Sequence, residues 1–248
     1  MNGRISEKGC PYTQCGRNSE NLNVPLCNFK KLLPIFFKRS DNLAAIKFVV
    51  ISQDPGFSAR KDYHCNIEEM KRCWCEELKS EDRSNKSSPI SLMKEIFNNF
   101  DIYHDRVYWT HSLKCIPWDT DKQIRCDWKK CAPECMKILK EELLKIPADE
   151  LVVITMGVYA LRMLCGVVDT FSIEECDYQI KKLKPIKLKS LIEKHTNELP
   201  LNKEFRTSDG TLIKKLTIYP FYHPSAWIKK NDPYNELKMR MIVQLKEI

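Results

Sequence analysis

Four short phrases hold the side chains most able to do chemistry: Ile51-Ser-Gln-Asp-Pro-Gly56, His111-Ser-Leu-Lys-Cys115, Thr155-Met-Gly157 and His223-Pro-Ser225. Asp54 supplies a carboxylate and His223 an imidazole, a pair suited to acid–base work and to stabilising opposite charges. Neither is diagnostic alone, since an aspartate before proline commonly forms a turn and a lone histidine is commonly structural. Twelve cysteines add a second kind of chemistry. In a reducing compartment they serve more often as metal ligands or buried apolar groups than as disulfides. They cluster as Cys10, Cys15 and Cys27, then Cys65, Cys73 and Cys75, then Cys115, Cys126, Cys131 and Cys135.

Each phrase follows an apolar, β-branched run that reads as a buried strand: 46–52, 106–113, 150–156 and 215–220. Helical spacing or composition marks about 66–80, 89–100, 128–146 (Met136, Leu139, Leu143 and Leu144 on one face), 158–164 and the end from about 233. Strands alternating with helices predict a three-layer α/β/α fold with a four-stranded, mainly parallel central sheet covered on both faces. Function in such folds concentrates in the loops leaving the strand ends, so Asp54 and His223 can meet in one cleft. One domain accommodates all 248 residues, with 1–40 a cysteine-bearing lead-in. Residues 167–212, with five lysines between Lys181 and Lys189, read as an insertion carrying one or two short helices.

Apolar residues at 43% allow a sizeable core, and no apolar stretch reaches the ~20 residues needed to span a bilayer. The first residues lack the apolar centre of a signal peptide, so the expectation is a soluble, intracellular monomer. The net charge of +8, from 41 basic and 33 acidic residues, suits a polyanionic partner. A lysine-rich solvated surface accounts for that charge equally well.

As an ordered set, the phrases resemble the uracil-DNA glycosylase superfamily, especially its iron–sulfur (family 4-like) branch, over nearly the whole chain from Cys10 to Trp227. The first motif reads Gly-Gln-Asp-Pro-Tyr in one branch and Gly-Glu-Ala-Pro-Gly in the iron–sulfur branch. Ser52-Gln53-Asp54-Pro55-Gly56 looks like a mixture of the two. The resemblance implies that Asp54 activates a water and stabilises an oxocarbenium sugar, and that His223 donates to the departing base. Gln53 would lie against the substrate. Gly56, where strict uracil enzymes place tyrosine, would leave a wider pocket. Phe57 or Tyr63 could stack on the flipped base, although both also read as core aromatics. The second phrase is similar to Asn-Val-Val-Lys-Cys-Arg-Pro-Pro, and His111 takes the place of the asparagine that reads uracil's pairing edge. That is a departure, because an imidazole cannot offer an amide's paired donor and acceptor. Ser225 would contact a phosphate, and Trp227 would be the apolar wedge that fills the gap left by the extruded base.

Cys115 and Cys131 stand 16 residues apart, as in the iron–sulfur branch, where the later ligand opens a helix. The remaining ligands of that branch come from the N-terminus, and here Cys10 and Cys15 are chosen, with Cys27 in reserve. Cys126 or Cys135 could replace Cys131 but lack its spacing. Four thiolates suit a [4Fe–4S] cluster or a structural zinc. The resemblance therefore implies a monofunctional DNA glycosylase of base excision repair, acting on single- or double-stranded DNA. Two other readings stay open: a non-catalytic binder of uracil-containing or damaged DNA, and a zinc-stabilised α/β enzyme acting on small molecules.

Overall fold

The computed structural model describes residues 43–53, 89–97, 106–112, 118–119, 124–125, 128–169, 199–206, 210–224 and 233–248. Of residues 118–119, 124–125, 128–134, 168–169 and 233 it gives the backbone course alone.

The runs Phe-Val-Val-Ile-Ser and Val-Tyr-Trp-Thr-His have no polar alternation, and as β1 (Phe48–Ser52) and β2 (Val107–His111) they are buried on both faces. β5 (Glu150–Met156) is exposed only at its first residue. β1 pairs in parallel with both β2 and β5, and β5 pairs in parallel with β7 (Leu212–Phe221). β6 (Leu201–Arg206) closes the sheet antiparallel to β7, so the order is β2-β1-β5-β7-β6. A separate ribbon of two short strands, β3 (Trp118–Asp119) and β4 (Ile124–Arg125), lies between β2 and the next helix.

Among the described residues four helices flank the sheet: α1 (Pro89–Ile96), α2 (Trp128–Lys145), α3 (Val158–Asp169) and α4 (Pro233–Glu247). Phe48 is opposite Val107, so Phe48 and Thr110 point to opposite faces of the sheet. Phe48 stacks edge-on against Phe97 just past α1, ring centroids 5.2 Å apart. Thr110 donates a hydrogen bond to Glu142 of α2 at 2.8 Å. α1 packs with α4 on the first face and α2 with α3 on the second, which gives three layers. No helix among the described residues is long and apolar enough to cross a membrane.

Three expectations need correction. Among the described residues the sheet has five strands, because residues 201–206 of the expected insertion form β6. Its exposed positions hold Asn202 and Glu204 and its one fully buried position Phe205, so only Phe205 and the half-buried Leu201 mark it as apolar. α3 also runs on to Asp169, past the expected start of the insertion. On α2, Leu144 is 41% exposed while Glu142 is 2% exposed, so an acid takes a core position that apolar spacing gave to leucine. Glu142 is stabilised there by the hydroxyls of Thr110 and Tyr108. The expected lead-in 1–40 and the 66–80 helix lie outside the described residues.

Lys214, buried on β7, donates to the carbonyls of Ile146 and Ala148 just past the end of α2, the latter at 2.7 Å. It thereby satisfies acceptors that a helix C-terminus leaves open. Burial lowers the pKa of Lys214, against the pull of nearby Asp149.

Three tyrosines carry a pH signature, burial raising the Tyr219 phenol as well. Burial, then the charge and hydrogen bond of Glu142, hold the Tyr108 phenol well above its ordinary value, and burial does the same for Tyr234. Above about pH 10 the unfolded chain loses these protons while the folded chain keeps them, so stability falls as pH rises. The slope is about 1.4 kcal/mol per pH unit for each tyrosine. Lys214 acts with opposite sign between its lowered pKa and the ordinary lysine value. Urea midpoints are expected to drop between pH 10 and 11, with a shallower drop in Tyr234→Phe. A flat midpoint would refute the assignment.

Candidate functional site

The sheet order contains a reversal. From β1 the chain travels through α1 on one face to β2, and from β5 it travels through α3 on the other face to β6 and then β7. The strand order thus reverses between β1 and β5, and α/β folds of this kind open a crevice at such a point, at the carboxyl ends of the parallel strands. The four phrases singled out in the sequence all leave these ends, at Gln53, His111, Gly157 and His223.

Gly157 sits at the centre of that edge. Its N–H donates to the carbonyl of Phe221 at 2.8 Å, tying the end of β5 to the end of β7. Its own carbonyl accepts the N–H of Leu161 at 3.3 Å, so it caps α3. Its φ of 96° lies in the left-handed region that only glycine enters without strain. A β-carbon placed there would lie 3.4 Å from Cβ of His223 and 3.6 Å from Oε1 of Gln53. Gln53 and His223 thus approach each other across a bare backbone, and Asp54 is the next residue after Gln53.

The adjoining strand ends are stitched together by side chains. Ser52 and His111 face each other in register. Ser52 Oγ lies 2.5 Å from His111 Nδ1 and accepts the indole N–H of Trp109 at 3.1 Å. One residue further on, the Ser112 hydroxyl donates to the carbonyl of Gln53 at 2.6 Å, and the Ser112 N–H donates to the carbonyl of Ser52 at 2.8 Å. Ser52, Trp109 and His111 are all buried. The backbone leading into Asp54 is therefore held by four contacts that do not depend on the loop beyond it.

His223 is fixed from its other side. The N–H of Tyr222 donates to the phenol oxygen of Tyr234 on α4 at 2.8 Å, and the two rings lie 4.1 Å apart. The helix after the His-Pro-Ser loop thereby anchors the residue before it.

Of the expected site residues, the structure brings Gln53 and His223 together and places His111 beside β1, buried against Ser52. Asp54, Gly56, Phe57, Tyr63, Ser225 and Trp227 lie outside the described residues, as do Cys10, Cys15, Cys27, Cys115 and Cys126. Cys131 stands in the first turns of α2. Cys135, one turn on, packs in the hydrophobic core. No group of three or more His, Cys, Asp or Glu side chains with metal-binding geometry occurs among the described residues. Sequence reasoning gave no role to Ser52, Trp109, Ser112 or Tyr234. The two serines were visible inside the motifs, but their pairing follows from strand register.

Residues 41–244 match the family model described as "Uracil DNA glycosylase superfamily". No curated protein and no solved structure matches the chain significantly.

Proposed function

The chain belongs to the uracil-DNA glycosylase superfamily, and on that footing we propose that it extrudes a deaminated base, uracil foremost, from DNA and hydrolyses its N-glycosidic bond. The product is an abasic site for base excision repair, and the setting is intracellular. Membership in the family supports glycosylase chemistry and DNA as the partner. The observation that carries the reading for this chain is the approach of Gln53 and His223 across Gly157 at the switch point of the sheet.

In the proposed reaction the C1′–N bond breaks and its electron pair leaves with the base. Asp54 stabilises the cationic sugar and orients a water whose hydroxyl adds to C1′, and the water's other proton is passed on through the carboxylate. His223 donates to the base carbonyl on which negative charge collects. Ser225 contacts a flanking phosphate, and Trp227 fills the gap in the stack. Nothing in the sequence marks out a Schiff-base lysine, so the proposed enzyme is monofunctional and leaves the strand intact.

The test is incubation with labelled oligonucleotides carrying uracil, hypoxanthine or a thymine mismatch, followed by alkali. Alkali-dependent breaks at the lesion support the reading. Tight binding to uracil-containing DNA with no break would point to a reader without turnover.

The proposal includes a four-thiolate centre on Cys10, Cys15, Cys115 and Cys131, holding a [4Fe–4S] cluster or, failing that, zinc. The β3–β4 ribbon folds the segment between Cys115 and Cys131 back on itself, which suits ligands drawn from its two sides. Such a centre would tie the lead-in to the body, and no step above runs through it. Elemental analysis of protein purified without oxygen is expected to give four irons per chain, lost in Cys131→Ser. One zinc per chain would select the alternative, and metal content unchanged by Cys131→Ser would remove this ligand set.

A further inference from the structure

We infer that Tyr234 of α4 is a positioning residue for base excision: its phenol oxygen and Gly157 clamp, from opposite sides, the one peptide group through which the chain runs on to His223. This rests on the base-excision reading above, in which His223 donates to the departing base.

The need for a clamp follows from where the sheet stops. β6 accompanies β7 only as far as Leu201 opposite Ile218, whereas β5 continues to Met156 opposite Phe221. Among the described residues, the last part of β7 therefore has a strand on one side alone. The carbonyl and the N–H of a trans peptide group point in opposite directions. The Phe221 carbonyl points at β5, where it accepts the N–H of Gly157 at 2.8 Å. The N–H of that same peptide group belongs to Tyr222 and points to the side that β6 has left. There the Tyr234 hydroxyl oxygen accepts it, also at 2.8 Å. Tyr234 thus does for the end of β7 what the carbonyl of a further strand would have done.

Tyr234 can hold a peptide in place because it is itself fixed. It is 3% exposed, and its ring lies 4.1 Å from that of Tyr222. Further along α4, Leu237, Met241, Ile242 and Leu245 are buried in the core. Lys238 of α4 pairs with Glu95 of α1 at 2.5 Å, and just past the helix the Ile248 carbonyl accepts Lys47 Nζ at 2.7 Å. On the other side of the clamp, Gly157 caps α3 through its own carbonyl. Rotating the clamped peptide plane would break both bonds at once, so the direction in which the chain enters His223 has little freedom. That direction brings Cβ of His223 within 3.4 Å of the space a β-carbon on Gly157 would fill. A donor to a leaving group acts only where its proton meets the oxygen on which charge collects. Loss of the clamp is therefore felt in the chemical step and not in DNA binding.

Tyr234→Phe keeps the ring and deletes the acceptor. Single-turnover excision at saturating DNA is expected to fall about 10-fold, with the half-saturating DNA concentration within about 2-fold of wild type. Amide hydrogen exchange should quicken about 10-fold at Tyr222, and at Gly157 too, because the two bonds share one peptide group. A purely structural role would lower the melting temperature without changing the saturated rate. Ile242→Val, a core change on the same helix, is the control for stability: it should lower the melting temperature and leave excision unchanged when rates are read well below melting. Excision in Tyr234→Phe within about 2-fold of wild type would overturn the inference, as would unchanged exchange at Tyr222. A loss of rate in Ile242→Val equal to that in Tyr234→Phe would overturn it as well. Wild-type protein that yields no abasic product sinks the excision reading instead, and the exchange rates then decide alone whether Tyr234 holds the approach to His223.

Discussion

Gly157→Val is expected to reduce base excision by about 100-fold or more while the protein still folds. Two independent costs meet at this residue. Its φ of 96° is strained for any residue with a β-carbon and most of all for a β-branched one. The added carbons also enter the space between His223 and Gln53, whose nearest atoms lie 3.4 and 3.6 Å from the first of them. The backbones of both neighbours are held, Gln53 at its carbonyl by Ser112 and the residue before His223 by Tyr234. The loops must therefore separate, and a displacement of about 1 Å between reacting groups costs on the order of 100-fold in rate. Single-turnover excision and thermal melting together check this. A melting temperature lowered by a few degrees with activity intact would show that the crevice does not need this close approach.

Asp54→Asn is expected to lower single-turnover excision by about 1,000-fold, with affinity for lesion-containing DNA unchanged. The amide keeps the volume of the carboxylate but neither takes a proton nor balances a positive sugar. His223→Ala removes one donor to the leaving base and should cost roughly 100- to 1,000-fold. The double variant should fall short of the product of the two losses, because both groups act on one transition state. Measured rate constants that multiply independently would argue that the residues serve different steps. A wild-type rate in Asp54→Asn would remove the carboxylate from the mechanism.

Much of this frame is legible in the amino-acid sequence. Runs such as Phe48–Ser52 and Glu150–Met156 have too few polar residues to be anything but buried strands, and their ends mark the crevice. β6 was illegible because its single fully buried apolar position, Phe205, does not make an alternating pattern. It owes its place to pairing with β7, which is a tertiary effect. Glu142 was misjudged for a related reason. Spacing identifies the face of a helix but cannot show that Thr110 and Tyr108 wait opposite to satisfy an acid. At the site, the order of the motifs marked which strand ends meet at the carboxyl edge of the sheet. The contacts that position them, Ser52 to His111 and Ser112 to Gln53, appear only once β1 and β2 are in register.

The approach of Gln53, Gly157 and His223 also sets a clock. These residues come from the first, third and last parallel strands of a sheet in which β1 and β5 are neighbours only after the chain has passed through β2 and α2. Nearly every pairing that shapes the crevice closes a long loop, and pairings of that kind form slowly because entropy is lost before contacts repay it. A refolding chain should therefore regain helical signal early and excision late, with docking of β7 against β5 as the step that switches it on. Until then a partly folded molecule can carry every functional side chain and still be harmless to DNA.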